Sequence, residues 1–205
     1  MPVSQSKILL LDLIEVVVRV FRGPNEETWS ELAHTALPDL LDRVQAFPGF
    51  PAEPLRGLAE ALSAHDRAGD FSPLESEYVR LFIAGPGGVP APLYESCHLG
   101  TATRTMGDSA LAMRDRLAEA GLAVSLPSNE PPDHLSLELE YLYSLCAEGW
   151  EDEPAMALHG ANFARKVMLP WVARFREALA GAEPDPVFLH AADLTLAVLR
   201  SVAGV

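Results

Sequence analysis

The stretch SNEPPDHLSLELEYLYSL, residues 128–145, sets two prolines and an Asp-His pair ahead of a leucine-rich run. Leu135, Leu139, Leu142 and, just beyond, Cys146 recur at helical spacing as one apolar stripe, while His134, Glu138 and Tyr141 follow at i, i+4 and i+7 on another face. That period predicts an amphipathic helix. Asp133 stands where its N-cap belongs, with a carboxylate able to accept from the free amides of the first turn. Asp133 therefore reads two ways, as a helix cap and as a candidate binding group.

Working outward, the same period recurs along the chain, whereas long Val/Thr alternations and Asn-Gly or Asp-Gly hairpin turns are missing. Residues 5–21 predict a helix apolar nearly all round, hence buried, despite the β-branched Val16, Val17 and Val18. Asn25 is an N-cap candidate for a helical region reaching Phe47, with a break near Pro38. Residues 53–68 carry Leu55, Leu58, Ala59 and Leu62 on one face and close at Gly69. In SPLESEYVRLF, Ser72 reads as a cap and Pro73 as the first helical residue, with Leu74, Tyr78, Leu81 and Phe82 as the stripe. Further helices are expected over about 99–122, 154–179 with a kink at Pro170, and 186–202. The fold class is all-α, one domain of many short helices over residues 1–205, with a possible minor lobe boundary near 122–132.

Composition narrows the partners. A chain of 205 residues with 49% hydrophobic residues can bury a full core. Twenty-nine acidic against fifteen basic residues, a formal charge of −14, argue against a nucleic-acid backbone and allow a cationic peptide. Cys97 and Cys146 form no metal-type or redox spacing and read as reduced, packed thiols of a cytoplasmic protein. The N-terminal apolar run is interrupted by Asp12, Glu15 and Arg19, too charged for a signal core or stable membrane insertion. No Arg-Arg pair occurs, so no twin-arginine export signal is expected in this chain.

Among catalytic patterns, G-x-S-x-G, G-x-x-x-x-G-K-[ST] and G-x-G-x-x-G are all absent. His134 and Glu138, one turn apart, could share a metal in a hydrolase, but three or four ligands are needed and no second cluster has ligand spacing. No cofactor is expected. The other distinctive segment is IAGPGGVPAPLYES, residues 83–96, too rich in glycine and proline for regular structure and unusually apolar. It reads either as a connection packed on the core through Leu93 and Tyr94, or as one wall of a hydrophobic groove preordered by its prolines.

Three blocks in order, YVRLFIAGPGGVPAPLYES (78–96), EPPDHLSLELEYLYSL (130–145) and FARKVMLPWVARFREAL (163–179), resemble the TorD/DmsD/NarJ family of molybdoenzyme maturation chaperones. The resemblance covers roughly residues 72–180. It implies a cytoplasmic, all-α, non-enzymatic protein that binds the twin-arginine signal peptide, and sometimes the body, of a molybdopterin oxidoreductase. Monomers and domain-swapped dimers both occur in such families. Carried over residue by residue, the resemblance implies a peptide-binding surface of Glu130, Asp133 and His134. Tyr78, Leu81, Phe82, Pro86, Pro92, Leu93 and Tyr94 would form the adjoining wall. Carboxylates beside an apolar surface suit two guanidinium groups followed by an apolar segment. This chain departs from many relatives at Gly87-Gly88, where they carry an aromatic residue, and at Val167, where they carry histidine. A helical adapter that contacts a folded oxidoreductase subunit and ignores signal peptides is the alternative reading.

Overall fold

A computed structural model of the chain describes residues 4–85, 87–99, 107–122, 130–151 and 153–204. Among these residues there is no β-strand; helices follow one another, joined by short turns. Helix α1, Gln5–Phe21, is the all-round apolar helix that the sequence predicts. Leu9, Leu13, Ile14, Val20 and Phe21 are buried, as are all three consecutive valines. Asn25 caps α2, Glu26–Glu31, its side-chain oxygen accepting from the Thr28 amide at 3.0 Å. A π turn at Leu32–Ala36 then leads into α3, Leu37–Val44.

Helix α4, Glu53–Ala68, ends at Gly69 in the left-handed conformation. Helix α5, Ser72–Tyr78, runs into a second π turn, Val79–Ile83. Ser72 is not its cap, contrary to expectation. The Ser72 amide donates instead to the Asp70 carboxylate at 2.9 Å, so the capping anion lies two residues upstream. Short α6, Glu95–Leu99, and α7, Asp108–Glu119, follow, with residues 100–106 of the helix expected over 99–122 outside the described residues. Then come α8, Leu135–Glu151, and α9, Pro154–Phe163. A third π turn, Ala164–Met168, precedes α10, Leu169–Gly181, and α11, Pro186–Ala203, comes last.

The π turns explain how two prolines sit inside continuous helical stretches. Proline lacks an amide hydrogen and its ring collides with the carbonyl one turn back. Just before Pro38 and Pro170 the turn widens, the Leu37 amide reaching back to Leu32 and the Leu169 amide to Ala164. The break near Pro38 and the kink at Pro170 therefore take the form of a wide turn rather than an interruption.

Helix α11 packs against α1, α4 and α10, and α8 against α1 and α9. By length and composition α11 could cross a membrane, but 61% of it is buried inside the protein, as in a central core helix. Its neighbour α4 comes close at Gly57, where a Cβ would lie 2.4 Å from the His190 ring. At the core's centre the Phe21 ring meets Phe82 edge-on at 6.0 Å and Phe175 at 5.6 Å, and Phe82 meets Phe188 at 5.4 Å. Trp171 and Cys146 are fully buried; Cys97 is partly exposed, and both thiols are free.

Candidate functional site

Backbone bonds fasten the proline-rich loop to the start of α8. The Leu135 amide donates to the Leu93 carbonyl at 2.8 Å, the Glu95 amide to the Asp133 carbonyl at 3.1 Å, and the Ala91 amide to the Leu81 carbonyl at 3.1 Å. Tyr94 and His134 thus form an isolated antiparallel bridge. Leu93 is buried as an anchor, while Tyr94 is left half-buried beside it.

Asp133 does not cap its own helix. Its Oδ2 accepts from the Ser96 amide at 2.9 Å, so it caps α6 across the bridge, and the residue is 0% exposed. The role expected of it at α8 falls to His134, whose Nδ1 accepts from the Ser136 amide at 3.2 Å and lies 2.8 Å from the Ser136 hydroxyl. An accepting Nδ1 carries no hydrogen, so the ring is neutral with its proton on Nε2. Burial pushes its pKa below the ordinary histidine value and Arg22 does the same, against the pull of Glu130 and Asp133.

His134 and Tyr94, their rings 5.2 Å apart and nearly perpendicular, border a groove of about 690 Å³. Tyr78, Phe82, Leu93, Tyr94 and Tyr141 supply its apolar surface. Arg22, Glu130, His134 and Glu140 supply its polar groups. The Tyr94 hydroxyl donates to Glu130 at 2.6 Å, and the Tyr78 hydroxyl to the Phe21 carbonyl at 3.0 Å. Burial pushes both phenols up, and neither ionises near neutral pH. Glu140 is paired with Arg22; burial raises its carboxyl while the guanidinium draws it down.

Of the residues that the motif blocks nominate, Tyr78, Phe82, Leu93, Tyr94, Glu130 and His134 share this groove. Leu81 lies in the core, Asp133 behind the wall, and Pro92 off the groove with its carbonyl accepting from His98 Nε2 at 2.7 Å. Pro86 lies outside the described residues. The helix face assigned to Glu138 is also corrected. The groove sees Leu137, Glu140, Tyr141 and Ser144, at i, i+3, i+4 and i+7, and this spacing was available in the sequence. Arg22 carries no such signal, because it reaches the groove from the end of α1.

Glu138 points the other way, fully buried, accepting from Trp171 Nε1 at 2.9 Å. Burial, and then the neighbouring carboxyl of Glu95, push it well above the usual carboxylate range. It does not share a site with His134, so the pairing that the hydrolase reading needs is not formed. Among the described residues no group of three or more His, Cys, Asp or Glu is placed to hold a metal ion.

The sequence model of the family described as "Nitrate reductase delta subunit" matches residues 50–177, a span holding both the loop and the α8 entry. The chain is 32% identical over 127 residues to a probable Tat proofreading chaperone DmsD of Haemophilus influenzae, covering 62% of this chain and 59% of that protein. With the Tat proofreading chaperone DmsD of Salmonella typhimurium it shares 31% over 152 residues, 73% of this chain and 68% of the relative. With the chaperone protein TorD of Vibrio cholerae it shares 27% over 152 residues, 71% and 68% of the two chains. A solved redox enzyme maturation protein from Archaeoglobus fulgidus aligns over 89% of this chain and 96% of its own, at 22% identity and a TM-score of 0.44. With the family model matched over residues 50–177 and DmsD relatives above 30% identity, the chain belongs to the nitrate reductase delta subunit family, the TorD/DmsD/NarJ group that its three blocks resemble.

Proposed function

We propose that this protein is a cytoplasmic, non-enzymatic maturation chaperone that binds the twin-arginine signal peptide of a molybdopterin oxidoreductase and holds the enzyme back until its cofactor is inserted. One observation carries the reading: a single groove joins aromatic and leucine walls to two carboxylates, Glu130 and Glu140. Carboxylates recognise guanidinium groups through paired, charge-assisted hydrogen bonds, and the walls take up the apolar segment that follows. The neutral His134 adds no competing positive charge. A backbone-pinned loop lowers the ordering cost of seating a peptide. The names of the DmsD relatives, proofreading chaperones of twin-arginine export, agree with this use of the groove.

Titration calorimetry with twin-arginine leader peptides tests it. A leader is expected to bind more tightly than a scrambled peptide of equal charge, and replacing both arginines by lysine is expected to weaken it, since an ammonium cannot make the paired contact. Equal affinity for leader and scramble would overturn the reading. Retention by a leaderless catalytic subunit, with no leader binding, would favour the adapter instead.

A further inference from the structure

Within the groove one cation already occupies a carboxylate, and it belongs to the chain itself. Arg22 is the residue that ends α1, followed by Gly23 in the left-handed conformation against the Tyr78 ring. Its backbone is therefore held between a buried helix on one side and a tight turn on the other, while its side chain extends into the open. Its guanidinium pairs with Glu140 on α8, and both side chains are substantially exposed, 57% and 38%. Arg22, Glu140 and His134 all line the groove.

An exposed ion pair contributes little net stability, so breaking it costs an incoming competitor little. We infer that Glu140 is a guanidinium-recognition site whose resident partner, Arg22, is displaced by an arginine of the incoming peptide. This rests on the reading of the groove as a peptide site and adds a second anchor to Glu130. The exchange swaps one guanidinium for another at Glu140, so the groove's charge balance is kept. It also gives selectivity. Arg22 meets Glu140 through a single Nη2 to Oε1 contact; an incoming arginine can offer the carboxylate paired donors, whereas a lysine offers only a compact ammonium.

The test is a mutant cycle read by calorimetry with a synthetic peptide of two adjacent arginines followed by an apolar segment. Arg22→Gln is expected to tighten binding about two- to fivefold, the range of an exposed ion pair. Glu140→Gln is expected to weaken it, and Arg22→Gln added to Glu140→Gln to change nothing. Unchanged or weaker binding by Arg22→Gln, or a gain that persists without the Glu140 carboxylate, overturns the inference. Should the peptide fail to bind wild-type protein, the groove reading falls, and N-acetyl-Arg-Arg-amide, which has no apolar segment, still decides the exchange. A gain on Arg22→Gln that Glu140→Gln abolishes supports it, while equal affinity across the variants overturns it.

Discussion

Glu138 lies on the helix that lines the groove, yet its carboxyl is sealed behind it between Trp171 and Glu95. A carboxyl whose pKa is raised in the folded state keeps a proton there that the unfolded chain has already released. The sign follows: the stability linked to Glu138 is fully present below the unfolded value of about 4.5 and is lost as pH rises toward the folded value. Glu138→Gln keeps the shape and the acceptor for Trp171 while removing the titration. It is expected to melt above wild type near about pH 8, with the gap closing toward about pH 5, by calorimetry across that range. His134 acts with the opposite sign, its depressed pKa withdrawing stability as pH falls through the ordinary histidine value of 6.5, but equally in both proteins. A constant gap across the range would show that Glu138 is not the source.

Helix pairs in this fold are set by the smallest residues in them. At Gly149 on α8 a Cβ would lie 2.1 Å from the Ala157 amide nitrogen of α9, and at Gly160 one would lie 3.2 Å from Cys146 Sγ. The first contact is with backbone, which cannot rotate away. Gly149→Ala gains helix propensity but must push α9 aside, for a net loss of about 1–3 kcal/mol, measurable by urea unfolding. An unchanged midpoint would mean that the two helices part freely. The period of 3.6 made the element types legible, as Leu135, Leu139 and Leu142 show, and Asn25 marked its helix start by residue type alone. Rotation about the helix axis was less legible. Glutamate at 138 reads as a polar face because its partners, Trp171 and Glu95, come from elements far along the chain. Asp133 was found by its motif yet misassigned to its own helix, since nothing local announces that Ser96 lies within its reach. The π turns were legible only as prolines to be accommodated, without the means.

At the scale of the whole molecule, the buried core is continuous from Leu9 to Ala203, and its aromatic centre draws Phe21, Phe82, Phe175 and Phe188 from four separate parts of the chain. Contacts of such sequence separation form late, because loop closure must precede their gain. Fifteen basic against twenty-nine acidic residues leave a net negative charge, which is expected to speed encounter with any cationic peptide at low salt. The packing of α11 against α1 and α4 also bears on synthesis. Until the ribosome has released residues 186–203, α4 and one side of α1 lack the helix that covers them, although α8 and α3 already pack on α1, and a stable groove is expected to wait for that cover. Ribosome-bound chains arrested before Pro186 are expected to be digested by protease, and chains extended past Ala203 to resist; equal resistance would place folding earlier. The groove that α1 and α8 line would then become complete only after α11 has left the ribosome, so binding competence and the docking of one late helix would be a single event.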